Sequence, residues 1–282
     1  METARDILNE PGAPVVLFDR VQLAFDEKVV LRDLSFTLLK GHTKIILGAS
    51  GSGKSTILKI ITGLLRSDAG VVWVNGQRVD QLTEAQLMDV RDDLGLIFQE
   101  GALFDSLTVR ENVGYKYYEE TDMPLEQARA RVVEVLGFVG LGEFIHRMPS
   151  ALSGGQRRRV GIARAMASKP GLLLFDDPTT GLDPIIAATV DDEIVKLRDL
   201  EGVTSLLVTH QIRDAFYIAD HRAVRDSDGK IQIEERETGS PNTVQFMVLH
   251  DRRIYFQGSA EALLASDDPY LKEYLFMTLP PW

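Results

Sequence analysis

The sequence predicts an α/β fold in which helices cover a mixed sheet, and three observations carry that prediction. Residues 43–47, 171–176 and 204–209 are short apolar runs of the length expected for strands buried on both faces. Residues 55–65 and 185–200 are helical in pattern and follow the first two of these runs, the order of a parallel sheet covered by helices. Ahead of them, residues 15–18, 21–25 and 34–38 read as strands of an antiparallel layer.

Taken in order, the chain opens on a loose lead-in ending in Pro11-Gly12-Ala13-Pro14. The antiparallel layer follows, and then the strand at 43–47 feeds a glycine-rich loop and the helix at 55–65. Residues 71–74 and the turn Asn75-Gly76 resume the strand pattern. From 83 to 167 the pattern is mostly helical, with 127–136 as an example. Residues 225–245 are polar, with turn signals at Asp226-Ser227-Asp228-Gly229 and Gly239-Ser240-Pro241-Asn242. Ile231-Gln232-Ile233 alternates between them, so an added β-hairpin is expected, either a solvated ornament or a partner contact. The run from Leu275 to Trp282 is apolar and would fold back or bind a neighbour.

Composition narrows the function. With 44% hydrophobic residues in 282, a sizeable core is affordable. No run approaches the roughly 18 apolar residues of a membrane span, and the start lacks a secretory pattern. No cysteine is present, which excludes a disulfide framework and a thiolate metal site and fits a reducing compartment. A net charge of −11 argues against nucleic acid as a partner, but not against an anionic nucleotide held by local donors.

Gly48-Ala49-Ser50-Gly51-Ser52-Gly53-Lys54-Ser55-Thr56 fits G-x-x-x-x-G-K-[ST] between a predicted strand and helix, the context the motif requires. Its glycines let backbone N–H groups turn inward around a phosphate at a helix start, where the dipole favours negative charge. Lys54 would reach the β- and γ-phosphates of ATP, and the Ser55 hydroxyl would ligate Mg2+. Leu172-Leu173-Leu174-Phe175-Asp176 ends a buried strand in a carboxylate, which beside such a loop suits the same metal.

Further motifs stand in a recognisable order. Leu152-Ser153-Gly154-Gly155-Gln156 resembles the signature of the ABC ATPases, Gln99 their Q-loop, Gly181-Leu182-Asp183 their D-loop and Thr209-His210 their H-loop. The resemblance covers about residues 15–266. It implies a nucleotide-hydrolysing fold of the phosphate-loop type: one ABC domain with a core at 15–88 and 167–266, a helical subdomain at 89–166, the polar insertion at 225–245 and a tail at 267–282. It also implies a composite site, in which two ATPase subunits face head to tail and each ATP lies between one phosphate loop and the other's Ser153, Gly155 and Gln156, with Asp183 nearby. Gln99 would touch Mg2+ and the attacking water, and His210 the γ-phosphate. Phe25 lies where the family's adenine-stacking aromatic sits, although simple core is its other reading.

The sequence departs from the family at one position. Where a glutamate normally follows the metal-binding aspartate, this chain has Asp177. A carboxylate still polarises water, but one methylene fewer withdraws it by roughly 1.5 Å, and a misplacement of about 1 Å can cost on the order of a hundredfold. A natural variant with a compensating backbone, a slowed hydrolase and a chain altered to hold ATP all remain open.

Phe98-Gln99-Glu100-Gly101-Ala102-Leu103-Phe104 looks like the Mce/Mla-type lipid-transport ATPases, and Arg147-Met148-Pro149-Ser150 is similar to importer-type ones. That resemblance implies a peripheral subunit on the cytoplasmic face of the inner membrane. Its partners would be an integral permease and lipid-binding Mce/Mla-type components. Ala102, Leu103 and Phe104 would line the permease groove or belong to the core of the helical subdomain. The rival readings are a slow regulatory switch and a soluble ABC ATPase outside transport.

Overall fold

A computed structural model describes residues 12–99, 101–237, 239 and 242–276. The chain begins with β1 (Val16–Phe25) and β2 (Lys28–Leu38), an antiparallel pair. Then come β3 (Thr43–Leu47), α1 (Lys54–Ile61), β4 (Ala69–Val74), β5 (Gln77–Arg78), α2 (Glu84–Asp92) and β6 (Leu94–Ile97). Three helices follow, α3 (Val109–Glu120), α4 (Leu125–Phe138) and α5 (Gly154–Ala167). The chain returns through β7 (Leu172–Asp176), α6 (Pro184–Leu200), β8 (Thr204–Thr209) and α7 (Ile212–Asp220). It continues with β9 (His221–Arg225), β10 (Ile231–Glu235), β11 (Val244–His250), β12 (Arg253–Gly258), α8 (Ala260–Leu264) and α9 (Pro269–Phe276).

The central sheet runs β12-β11-β3-β8-β7-β6, parallel except for the antiparallel edge strand β12. Because side chains alternate along a strand, each strand feeds two cores. Ile45, Leu47, Leu173, Phe175 and Leu207 pack with α3 to α7 on one face. Ile46, Leu172, Leu174, Leu206 and Val208 pack on the other against α1 and the antiparallel layer β2-β1-β4-β5. That double burial is why these strands read as unbroken apolar runs.

Two local readings are corrected. The segments expected as separate strands at 15–18 and 21–25 are one strand, β1, with a register shift between Phe18 and Val21. Arg20 takes φ 51° there, and its N–H donates to Ser35 Oγ at 2.8 Å, the geometry of a bulge. Leu94–Ile97, within the stretch expected to be mostly helical, is the edge strand β6 paired with β7. Four residues are too few to set a period, so the run was invisible beside its helical neighbours. Residues 94–97 therefore belong to the central sheet, and the three successive helices α3 to α5 begin only at Val109.

The expected hairpin forms from β9 and β10. Asp226 Oδ1 turns it by accepting from the N–H groups of Asp228 and Lys230. Asp199 on α6 anchors its base, accepting from Ala223 N–H and pairing with Arg236 at 3.0 Å. The turn signal at 239–242 lies partly outside the described residues, as does the apolar tail beyond Phe276.

One buried carboxyl has a measurable consequence. Asp191 on α6 is 1% exposed, and its Oδ1 has no hydrogen-bond partner. Burial pushes its carboxyl well above 3.8, and Asp214 on α7 adds to the push against Arg213. The native state thus holds a proton that the unfolded chain has released, so this group costs more stability as pH rises from 3.8 through its native value. Asp191→Asn is expected to raise Tm at pH 8 by roughly 2–4 °C and to flatten the pH dependence. Equal pH slopes of Tm in the two proteins would count against it.

Candidate functional site

The parallel strands β3, β6, β7 and β8 end on one edge of the sheet, and the expected residues leave from those ends. Gly48 follows β3, Asp177 follows β7, His210 follows β8, and Gln99 lies two residues beyond β6. A cavity of about 470 Å3 opens there, lined by Ser50, Gly51, Gly53, Lys54, Ser55, Thr56, Gln99, Asp177 and His210. Val30 and Thr180 line it as well, and sequence reasoning missed both. Val30 is an ordinary apolar residue of β2, whereas Thr180 could have been suspected from its place three residues after Asp177.

The loop is built on close backbone approach. Gly53 takes φ 101° as it caps α1, and a Cβ there would lie 2.6 Å from Leu31 Cδ2. At Gly48 a Cβ would meet the Leu249 carbonyl at 2.8 Å. Lys54 folds back so that Nζ donates to the carbonyls of Gly48 (2.7 Å) and Ala49 (3.1 Å). Burial lowers its pKa, and the nearby Asp177 and Asp176 pull it back up.

Ser55 Oγ donates to Asp176 Oδ1 at 2.7 Å. Burial raises the Asp176 pKa and outweighs the lowering from Ser55. These two hard oxygens fit Mg2+, which takes one or two protein ligands and completes its shell from phosphates and water. Accordingly, no cluster of three or more His, Asp or Glu suited to a metal occurs among the described residues.

Asp177 adopts φ 47°, and its N–H donates to Val208 O at 2.9 Å. Its Oδ1 accepts the His210 backbone N–H at 3.1 Å and lies 2.9 Å from His210 Nδ1. A carboxylate only accepts, so Nδ1 carries the hydrogen and Nε2 is the nitrogen left for other partners.

The signature residues lie outside this cavity. Ser153 caps α5, with Oγ accepting from Gln156 N–H (3.3 Å) while Gln156 Oε1 accepts from Ser153 N–H (2.9 Å). Gly155 lets α5 meet α6: a Cβ there would come within 2.1 Å of Ile186 Cγ2. Asp183 is likewise not a cavity residue; its carboxylate caps α6 by accepting from Ile185 and Ile186 N–H. Phe25 ends β1, 48% exposed. Gln99 also borders a second cavity of about 490 Å3, lined in part by Ala102, Leu103 and Arg157. The Phe104 ring lies tilted against that of Tyr115, with centroids 4.7 Å apart, and stays 44% exposed. Arg158 on α5 is 6% exposed and donates to Pro178 O at 2.6 Å and to Thr180 O.

Comparison with known proteins agrees with this geometry. A family model described as ABC transporter matches residues 31–180. A probable amino-acid ABC transporter ATP-binding protein of Sinorhizobium fredii is 38% identical over 236 residues, 80% of this chain and 90% of that protein. The intermembrane phospholipid transport system ATP-binding protein MlaF of Escherichia coli is 33% identical over 248 residues, 88% of this chain and 83% of that protein. A dimeric ATP-binding cassette solved in a post-hydrolysis state with ADP and Pi superimposes with a TM-score of 0.70 at 28% identity, covering 86% of this chain and 98% of that one. The chain belongs to the ABC transporter family and is an ATP-hydrolysing cassette of a transporter.

Proposed function

We propose that two copies of this chain close on ATP and Mg2+ and thereby drive a membrane partner that moves lipid. One observation carries the composite site: a single copy gathers the phosphate loop, Asp177 and His210 at one cavity, with Asp176 bonded to the Ser55 that lines it, while Ser153, Gly155 and Gln156 stand at the start of a helix outside it. The start of α5, with its free N–H groups and dipole, suits the γ-phosphate of a nucleotide held by the opposite copy.

Within one copy, the N–H groups around Ser50, Gly51, Gly53 and Thr56 would cradle the phosphates, and Lys54 would bind their β- and γ-oxygens. Ser55 and Asp176 would hold Mg2+, with Gln99 at its edge; the ion neutralises phosphate charge. Asp177 would orient the water that attacks the γ-phosphorus, and His210 would stand at the γ-phosphate. Phe25, open to solvent at the end of β1, would stack on adenine, and Asp183 would meet the second copy.

The lipid reading is supported by likeness to the phospholipid-transport relative over most of the chain and by residues 98–104, whose Ala102 and Leu103 border the second cavity. There a permease segment would dock, with Mce/Mla-type lipid-binding components beyond it. No described helix is long and apolar enough to cross a membrane, which suits a subunit peripheral to the cytoplasmic face. The amino-acid relative favours a second reading, an importer of small polar solutes. Purifying the native complex, then identifying co-eluting subunits and lipids by mass spectrometry, separates the two. Bound phospholipid together with an Mce-type subunit is expected; a soluble amino-acid-binding subunit without lipid would overturn the lipid reading.

A further inference from the structure

Gln99 is exposed at the rim of the nucleotide cavity, so the backbone on either side of it decides where its amide can reach. Upstream, β6 is fixed by its pairing with β7. Downstream the chain turns back at once: the Gly101 N–H donates to Phe98 O at 2.9 Å, which closes a tight turn around Gln99. Gly101 and Ala102 then both take left-handed backbone, at φ 76° and 46°. Glycine adopts this freely, whereas an alanine stays there only when its surroundings hold it.

The surroundings are those of α5. A Cβ at Gly101 would lie 2.9 Å from Arg157 O, and one at Gly161 would lie 3.1 Å from Gly101 Cα, so the turn rests directly on the helix. Three residues beyond Gly161, the Arg164 guanidinium donates to Gly101 O at 2.9 Å and to Ala102 O at 2.8 Å. Two adjacent carbonyls suit its planar fork, which a lysine cannot reproduce. The Phe104 ring lies against the same guanidinium, 6.0 Å from ring centre to its carbon. Past Phe104 the buried Asn112 of α3 takes over, accepting the Phe104 N–H at 2.7 Å and donating to Phe104 O at 3.0 Å. Arg164 does not line the nucleotide cavity, so any effect on its chemistry passes through the turn. We propose that Arg164 is a positioning residue for ATP hydrolysis, its fork seating the turn on α5 and so fixing Gln99 at the nucleotide. The proposal rests on the reading of Gln99 as the contact to Mg2+ and the attacking water.

The test uses assembled dimers of the full-length protein and begins with Arg164→Lys, which keeps the charge and loses the fork. Steady-state ATP turnover is measured, and a fluorescent ATP analogue is titrated with Mg2+ and again with a chelator in its place. A displacement of about 1 Å can cost on the order of a hundredfold, so a partly loosened Gln99 is expected to lower kcat about tenfold. The gain in nucleotide affinity that Mg2+ brings should shrink about threefold, with Kd in the chelator unchanged. Arg131→Lys is the matched control, because Arg131 on α4 also donates to two carbonyls, those of Met166 (2.9 Å) and Ala167 (3.1 Å), at the other end of α5. It should lower Tm and leave kcat and the Mg2+ effect as they were. Should Arg164→Lys fail to fold, Gly101→Ala lifts the same turn off an intact α5, and the same two changes are expected of it. In a Gln99→Ala background Arg164→Lys should change neither quantity further, because the group it places is gone. The proposal is overturned by unchanged kcat and Mg2+ effect in the folded variant, by equal losses in Arg131→Lys, or by losses undiminished in the Gln99→Ala background. Gln99→Ala by itself separates the two levels: if it moves neither quantity, the reading of Gln99 is what fails.

Discussion

Replacing Lys54 by alanine is expected to lower ATP turnover by at least about a hundredfold, the scale on which a lost charge-stabilising donor is felt in a preorganised site. The amine is 6% exposed and now rests on the carbonyls of Gly48 and Ala49, two acceptors with no charge to neutralise. That makes it a cation held in readiness, with its burial cost offset in part by Asp176 and Asp177. A triphosphate would offer it full negative charge instead, and charge-assisted bonds are roughly twice as strong as neutral ones. The side chain fills no apolar core, so Tm should fall by only a few degrees. Phosphate release and nucleotide titration check both halves. Turnover within twofold of the original chain would refute the site.

Extending Asp177 to glutamate is expected to raise kcat severalfold, up to about tenfold, with little change in ATP affinity. If binding rests on the loop and on Asp176, as proposed, the gain belongs to the transition state and shows in kcat rather than KM. The structure sharpens the reason. Asp177 spends Oδ1 on both the backbone and the ring of His210, so the short side chain is drawn towards the β8 end rather than out to a water. The backbone at this position is left-handed, which aspartate tolerates better than glutamate, so a modest loss of Tm should accompany the gain. The measurement needs assembled dimers or the whole transporter, because in the proposed composite site an isolated copy would lack the opposing Ser153. Equal or lower turnover there would mean that the backbone already suits aspartate, and the slowed-hydrolase idea falls.

What could be read from the sequence was whatever local backbone dictates. The phosphate loop, Asp177 and His210 each follow a buried strand directly and Asp176 ends one, so strand and motif announce one another. The β9–β10 hairpin was legible for a similar reason, since Asp226 and Gly229 make the turn within a few residues. The bulge at Arg20 was not, because its partner Ser35 lies on the neighbouring strand. Nor was β6, four residues whose identity as a strand comes entirely from β7.

The guanidinium of Arg158 has a mechanical consequence. It leaves α5 and grips the carbonyls of Pro178 and Thr180, within the turn that also presents Asp177. Helix and turn are thus joined by a strut, and neither shifts without breaking two hydrogen bonds from a charged donor, on the order of 1.5–3 kcal/mol each. In a pair of copies, α5 would press on the nucleotide of the neighbour while the turn serves its own. A push received at Ser153 from across the interface would then travel along a stiff rod to the carboxylate behind it, so the two halves of such a machine would strike in step.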